Sequence, residues 1–344
     1  MDIQAFKKRF DPVLKRFLDR KIKVYRKHTT DPFILEMIGY ASKLLLASGK
    51  RVRPYMANLT YKASGGRSEA SALAVFAGLE LFHAFALVHD DIMDRGVERH
   101  GIPTAHRYVE GRLKELGRAG SAAHLGEAQA ILIGDLLFSW SNECLAGTKV
   151  YPIFIRMIDE VLTGQMIDVD VMTRRSVEDG LIMDKMRLKT ATYTFVRPMQ
   201  IGAVFAGANG KMEKFCEAYG LPLGLAFQIQ DDMLDMLTPS HVHGKTAFSD
   251  LRDGQHTLFT QYIFRHGSAA QIRELRSLIG ASLTERDRPR VLAFFESTGS
   301  LEHGRTVMNA YFDEAELAIK KMDFSKRNAE PFFELVQYIR KRAS

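Results

Sequence analysis

Three aspartates interrupt the apolar run "LVHDDIMDRG": Asp90, Asp91 and Asp94, with Ile92 and Met93 between them. "FQIQDDMLD" repeats the spacing with Asp231, Asp232 and Asp235. Ionised carboxylates this close repel one another, and taking them out of water is costly unless positive charge meets them. A single such group at a helix end reads as a solvated face. Two of them, each closing a long apolar stretch, read as a cation site built from both. Oxygen-only donors select a hard ion, and Mg²⁺ fits because it keeps several waters and is held by a few carboxylates together with phosphate oxygens. No Cys/His spacing supports zinc. A magnesium-bound diphosphate ligand also requires basic side chains elsewhere.

The elements that carry these residues read as helices. Phe33, Ile34, Met37, Ile38, Ala41, Leu44 and Leu45 recur at helical spacing, as do residues from Leu73 through His83 to Leu87. On the second of these helices Asp90 and Asp94 share a face, with Asp91 about 100° round from Asp90. Further helices are expected over about residues 119–147, 150–172, 211–237 and 269–280, and "DPF" at 31–33 suits a helix start. Strand-like alternation is hard to find. The stretch 95–112, rich in charge and turn formers, reads as a loop or partly ordered connection, and the C-terminal "YIRKRAS" as a solvated tail. The expectation is an all-α, single-domain bundle of long, mostly antiparallel helices around a deep central cavity, spanning residues 1–344.

Composition sets the outer limits. The chain has 344 residues, 46% hydrophobic and 26% charged, without a Pro/Ser/Gly-rich linker, so a large buried core is expected. The net charge of +7 comes from scattered basic residues rather than blocks interleaved with aromatics, which argues against nucleic acid as a partner. No secretory pattern opens the sequence, and no apolar stretch reaches the roughly 20 residues needed to cross a bilayer. Cys144 and Cys216 read as free thiols, and a cytoplasmic location is expected.

The basic residues fall into a recognisable order. "GKRVRP" gives Lys50 and Arg53, "DDIMDRGVERHGIPT" runs on to Arg99, and "GQMID" gives Gln165 and Asp168. "KTATY" gives Lys189 and Thr190, and "GK" at Gly244 and Lys245 follows the second aspartate motif. In this order and spacing, from about residue 45 to about 257, the chain resembles the trans-isoprenyl diphosphate synthases of the polyprenyl synthetase family. "GKT" at 244–246 is not a P-loop, because Pro239 stands at the earlier glycine position and no strand precedes it. Class I terpene cyclases share an aspartate-rich helix, but their second metal motif is of Asn/Ser/Glu type. A non-catalytic regulatory subunit is expected to have lost one aspartate motif.

The resemblance implies roles for particular residues. Asp90, Asp91, Asp94, Asp231, Asp232, Asp235, Lys189 and Lys245 form the catalytic set, with Asp90, Asp94, Asp168 and Asp231 as ligands of three Mg²⁺ ions. Arg99, Lys189, Thr190, Gln228 and Lys245 match positions that hold the allylic diphosphate, and Lys50, Arg53, His83 and His100 the pocket for isopentenyl diphosphate. The expected reaction is ionisation of the allylic C–O bond, attack by the isopentenyl double bond, and loss of a proton to the departing pyrophosphate. The family's form implies a homodimer.

Two departures stand out. The family usually has paired arginines after the first motif, but here the second position is His100, so use of isopentenyl diphosphate is expected to weaken above neutral pH. In "DLRDGQHT" the family often has lysine at the place of Gln255, which removes a cation from the allylic site. Product length is expected to depend on Phe85 and Phe82, five and eight residues before Asp90, as the floor of the chain cavity. Together with the lack of a two-residue insertion in the first motif, this resembles a geranylgeranyl (C20) synthase. Farnesyl (C15) or longer products are the alternatives.

Overall fold

The computed structural model describes residues 3–47, 49–99, 101–208, 210–239 and 248–341, and most of them are helical. They form two compact units, Asp2–Tyr151 and Pro152–Ser344.

The first unit contains α1 (Ile3–His28), α2 (Pro32–Ala47), α3 (Val52–Ala63), α4 (Glu69–Met93), α5 (Ala105–Glu115) and α6 (Ala122–Leu145). Helix α2 begins where "DPF" predicts: the Asp31 carboxylate accepts the Ile34 amide at 2.9 Å and caps the first turn. Helix α4 packs along α6 and is buried all round in its middle, from Val75 to Phe82, with Phe76, Leu79, Leu81 and Phe82 fully enclosed. By length and composition α4 does suffice to cross a membrane, contrary to the reading of the raw sequence. However, 67% of its most apolar window is buried inside the protein, so that surface is used in packing.

The stretch 95–112 is more ordered than expected. Strands β1 (Glu98–Arg99) and β2 (Ile102–Pro103) pair antiparallel, and α5 begins at Ala105. Ala105, Val109 and Leu113 recur every four residues and are all buried, which turns a charged segment into an amphipathic helix.

The second unit contains α7 (Tyr151–Val171), which starts at the boundary residue, and α8 (Asp179–Lys185), which runs into a π-helical segment (Met186–Val196). Helices α9 (Arg197–Ala206) and α10 (Gly210–Leu237) follow. The short α11 (Ser249–Arg252), α12 (Leu258–His266), α13 (Ala269–Leu278), α14 (Arg288–Ser297), α15 (Ser300–Lys321) and α16 (Lys326–Arg340) complete it. Helix α10 is flanked by α15 and the π-helical segment.

The C-terminus is not a solvated tail up to Arg340. Phe332, Leu335, Val336 and Ile339 form a buried stripe on α16, and the Gln230 amide on α10 donates to the Ile339 carbonyl at 2.7 Å. Cys144 and Cys216 are free, and burial pushes the Cys144 thiol up to about 12.

Candidate active site

Helix α4 ends in the first aspartate cluster and has no basic residue in its last turn. The C-terminal end of a helix carries partial negative charge, so carboxylates there are unfavourable without an added cation. Asp90 is half-buried, and Asp94 is exposed at the C-cap. Asp91 is buried and gripped by Arg99 from β1: the guanidinium donates from Nε to Oδ2 at 2.9 Å and from Nη2 to Oδ1 at 2.6 Å. Burial pushes the Asp91 carboxyl up, and the Arg99 hydrogen bonds only partly reverse this.

The turn that delivers Arg99 is fixed locally. Arg95 adopts the left-handed conformation (φ 54°), the Gly96 amide donates to the Asp91 carbonyl at 2.8 Å, and the Thr104 hydroxyl donates to the Gly96 carbonyl at 2.8 Å. Arg99, expected on the allylic diphosphate, is therefore committed to the cluster's own middle carboxylate, 3.9 Å from Asp90 as well.

A small cavity of about 50 Å³ adjoins this pair, lined among others by Gly49, Arg51, Glu80, His83, Asp91 and Arg99. It brings the expected His83 next to the Asp91–Arg99 pair, whereas Lys50 and Arg53 are not on its lining. Lys50 is exposed and Arg53 half-buried at the start of α3; His100 lies outside the described residues. Arg51, between the two expected cations, has a structural position: it is buried with φ 53° and bridges Asp11 at 2.9 Å and Glu80 at 2.8 Å.

Phe85 and Phe82 are both buried on α4. The Phe85 ring centroid lies 5.3 Å from Phe82, 5.1 Å from Phe138 and 4.6 Å from His89. The expected floor is thus shared with α6, whose Phe138 no linear spacing from the aspartates could mark.

In the second unit, α10 also ends in carboxylates with no basic residue in its last turn. Asp231 is half-buried, and Asp232 is buried. The Gln228 amide, one turn earlier, donates to Asp232 at 2.6 Å while its oxygen accepts from the Thr190 hydroxyl. Burial pushes the Asp232 carboxyl up to about 7. Asp235 accepts from the Ser249 amide at 3.2 Å, the Ser249 hydroxyl at 2.6 Å and the Asp250 amide at 3.1 Å, and so caps α11. Lys245 lies outside the described residues.

Asp168 on α7 is buried between two ammonium groups, Lys189 and, at 3.2 Å, Lys185. Burial opposes its charge, but the two lysines outweigh it and hold the carboxyl below its usual range. The wide π-helical turn carries Lys189 to this carboxylate and Thr190 to Gln228, and π-turns of this kind recur at functional sites. Two glycines make it possible. A Cβ on Gly164 would stand 2.5 Å from the Lys189 amide nitrogen, and one on Gly224 would stand 2.4 Å from the Ala191 Cα. Lys185 was not singled out by any sequence motif, since a lysine four residues before "KT" is indistinguishable there from a surface charge.

Among the described residues, no three His, Cys, Asp or Glu side chains are gathered in a ready-made metal cage. The donors nevertheless fit a hard cation: they are carboxylates only, and they sit at helix ends where the backbone itself favours positive charge.

The sequence model of the polyprenyl synthetase family matches residues 35–293. The chain is 32% identical to the geranylgeranyl diphosphate synthase of Methanosarcina mazei, over 81% of this chain and 82% of that one. It is 30% identical to the geranylfarnesyl diphosphate synthase of Aeropyrum pernix, over 80% and 85% of the two chains. Its fold is similar to the crystal structure of Corynebacterium glutamicum geranylgeranyl pyrophosphate synthase complexed with isoprenyl diphosphate and magnesium, with TM-score 0.92, 25% identity, and 99% and 100% coverage. Two acid-ended helices, an all-α fold and a family match running through both units lead to one conclusion: the chain belongs to the polyprenyl synthetase family, and it is a trans-prenyltransferase.

Proposed function

We propose that this chain condenses isopentenyl diphosphate head-to-tail with an allylic diphosphate in a magnesium-dependent reaction, and that its main product is geranylgeranyl diphosphate. The observation that carries the reading is the pair of long helices, α4 and α10, that each end in carboxylates without a basic residue in the last turn. Such ends attract cations, and a diphosphate is the anion that brings them.

Asp90, Asp94 and Asp231 would hold the metal, taken as three Mg²⁺ ions per site, which would supply charge neutralisation for the leaving diphosphate. Lys189, Thr190 and Gln228, with Lys245 and part of Arg99, hold the allylic diphosphate and stabilise the charge that develops on it. Lys50, Arg53, His83 and His100 hold isopentenyl diphosphate. Asp91, Asp232 and Asp235 keep the two clusters in place. Asp168 sets the positions of Lys189 and Lys185 and would be a further ligand of the metal.

Product length rests on Phe85. Relatives at 30% and 32% identity are named for a C25 and a C20 product, so overall identity does not fix length and the local floor must. Phe85 packs edge-on to His89 and against Phe82 and Phe138, and an aromatic wall this close-packed resists further growth.

Leu125 and Leu132, exposed and two helical turns apart on α6, support a homodimer formed through that helix. The free cysteines support a reducing, cytoplasmic compartment, and the family match across both units supports one catalytic domain. Labelled isopentenyl diphosphate, offered with C5, C10 and C15 primers with Mg²⁺ or with a chelator, tests the reading. A C20 diphosphate that appears only with metal is expected. Cyclic hydrocarbons, or no incorporation with any primer, would sink it.

A further inference from the structure

Arg99 reaches Asp91 from a ribbon that has little stability of its own. Strands β1 and β2 hold two residues each, paired Glu98 to Pro103 and Arg99 to Ile102, and Gly101 turns between them with φ 76°. A two-stranded hairpin is marginal in water, so one this short needs anchors outside itself. Thr104 closes its base: the amide donates to the Val97 carbonyl at 3.0 Å and the hydroxyl to the Gly96 carbonyl at 2.8 Å. Those two bonds reach no other helix. A tie to a different helix comes from Tyr40 of α2, whose hydroxyl donates to the Pro103 carbonyl at 2.6 Å.

Tyr40 is itself immobilised. It is 3% exposed, and its ring stacks on Tyr108 of α5 with centroids 3.6 Å apart and planes 2° from parallel. The Tyr108 hydroxyl donates to Glu36 at 2.6 Å, and Glu36, one turn before Tyr40 on α2, also accepts from Arg112 Nε at 2.6 Å. Burial pushes the Tyr40 hydroxyl up to about 12, so it stays protonated and a donor well above neutral pH. A buried tyrosine hydroxyl needs an acceptor, but here the acceptor is not core backbone. It belongs to Pro103, an exposed residue of the hairpin that carries Arg99. Water can serve an exposed carbonyl, so what the bond adds is a fixed place for β2. The chain of contacts is short: Tyr40 to Pro103, β2 to β1, Arg99 to Asp91.

We propose that Tyr40 is a positioning residue for the first aspartate cluster, holding β2 so that the Arg99 guanidinium stays on Asp91 and the cluster keeps the shape that takes a magnesium-bound diphosphate. The inference rests on the reading of that cluster as a diphosphate site.

Two measurements on the full chain and on Y40F, Y108F, R99Q and Y40F/R99Q separate positioning from packing. One is amide hydrogen exchange over residues 96–104 without ligand; the other is calorimetry with inorganic pyrophosphate at saturating Mg²⁺. Y40F keeps the ring stack and removes only the donor. It is expected to speed exchange about fivefold and to weaken pyrophosphate binding about fivefold, the size of one hydrogen bond. Y108F, which leaves the Pro103 bond in place, is expected to match the parent in both. R99Q is expected to bind pyrophosphate about tenfold more weakly, and adding Y40F to it to change affinity less than about twofold, because no guanidinium is left to position.

Unchanged exchange in Y40F overturns the proposal, as does faster exchange with parental affinity. A full fivefold loss from Y40F in the R99Q background also overturns it, since Tyr40 would then act independently of Arg99. If R99Q does not fold, the two tyrosines decide: loss in Y40F alone supports the proposal, and equal loss in Y108F assigns the effect to the packing of α2 on α5 and overturns it. A parent chain that binds no pyrophosphate with Mg²⁺ overturns the diphosphate reading itself. Faster exchange confined to Y40F then still supports the hold on Arg99, and unchanged exchange overturns that too.

Discussion

The two aspartate clusters share one spacing and one position at the end of a long helix, yet their middle carboxylates are stabilised differently. Asp91 is met by a full positive charge, the forked guanidinium of Arg99 on a hairpin that follows eight residues later. Asp232 is met by a neutral amide, Gln228, and is buried enough for its carboxyl to rise to about 7. The third carboxylates differ as well: Asp94 is exposed at a helix cap, whereas Asp235 holds the start of α11. The first cluster's middle carboxylate is paired directly with a guanidinium, whereas the second's accepts from an amide and feels the Lys185 charge without a direct ion pair. Equal spacing does not mean equal electrostatics.

The largest test of this comparison is whether both clusters are required. Asp90→Asn and Asp231→Asn each remove a charge from a helix end that has no basic residue, and each is expected to lower kcat by about 10²–10³-fold in a product-formation assay. A variant that keeps a tenth of parental activity would mean that its cluster does not serve the reaction.

The middle carboxylates should then separate in stability. Asp91→Asn leaves the Arg99 guanidinium with only the more distant Asp90 as a counter-charge and is expected to cost about 2 kcal/mol, less than the roughly 3–5 for a fully buried pair, because Arg99 is 28% exposed. Asp232→Asn keeps an oxygen for the Gln228 amide and removes a buried charge, so it is expected to be neutral or stabilising at mildly alkaline pH. Urea unfolding reads both. Equal destabilisation would collapse the distinction between the clusters.

Much of this was legible in the sequence because it is local. The aspartate spacing, the helical period around it and the order of the basic motifs lie along the chain, and so do the all-α character and the start of α2 at Asp31. What the sequence withheld depends on partners distant in the chain. Arg51 reads as one of three adjacent loop charges until Asp11 and Glu80 close on it. Phe138 reads as an ordinary core residue until it meets Phe85, and Lys185 as a surface charge until Gln255 and Asp168 surround it. The α5 and α16 helices were missed for a different reason: charged residues dominate both segments, and only the buried stripe, visible at four-residue spacing, outweighs them.

The floor beneath the first cluster gives the next effect in size. Phe85→Ala is expected to add at least one five-carbon unit to the main product, sized by chromatography, and to cost about 3–5 kcal/mol of stability from the cavity it leaves. Phe138→Ala, on the other side of the same contact, is expected to lengthen the product too. Unchanged products in both would place the floor outside this aromatic group.

The smallest effect follows from pH. A carboxyl raised from 3.8 to about 7 favours its protonated form in the folded protein, so the stability it confers is complete below about pH 4 and is lost as pH rises through about 7. Asp91 is raised as well and acts in the same direction. His106 and His256, whose pKa values burial lowers, act oppositely: their contribution is present above the usual histidine range and lost as pH falls. The informative quantity is therefore the difference in melting temperature between the parent and Asp232→Asn without divalent metal. Relative to the variant, the parent is expected to lose ground from about pH 5 to about pH 8. Mg²⁺ should recover that loss at the alkaline end, because a cation binds the ionised carboxylate and stabilises the folded state by mass action. If Mg²⁺ stabilises parent and variant equally at both pH values, the second cluster carries no charge that waits for a cation, and its contrast with the Arg99-balanced first cluster disappears.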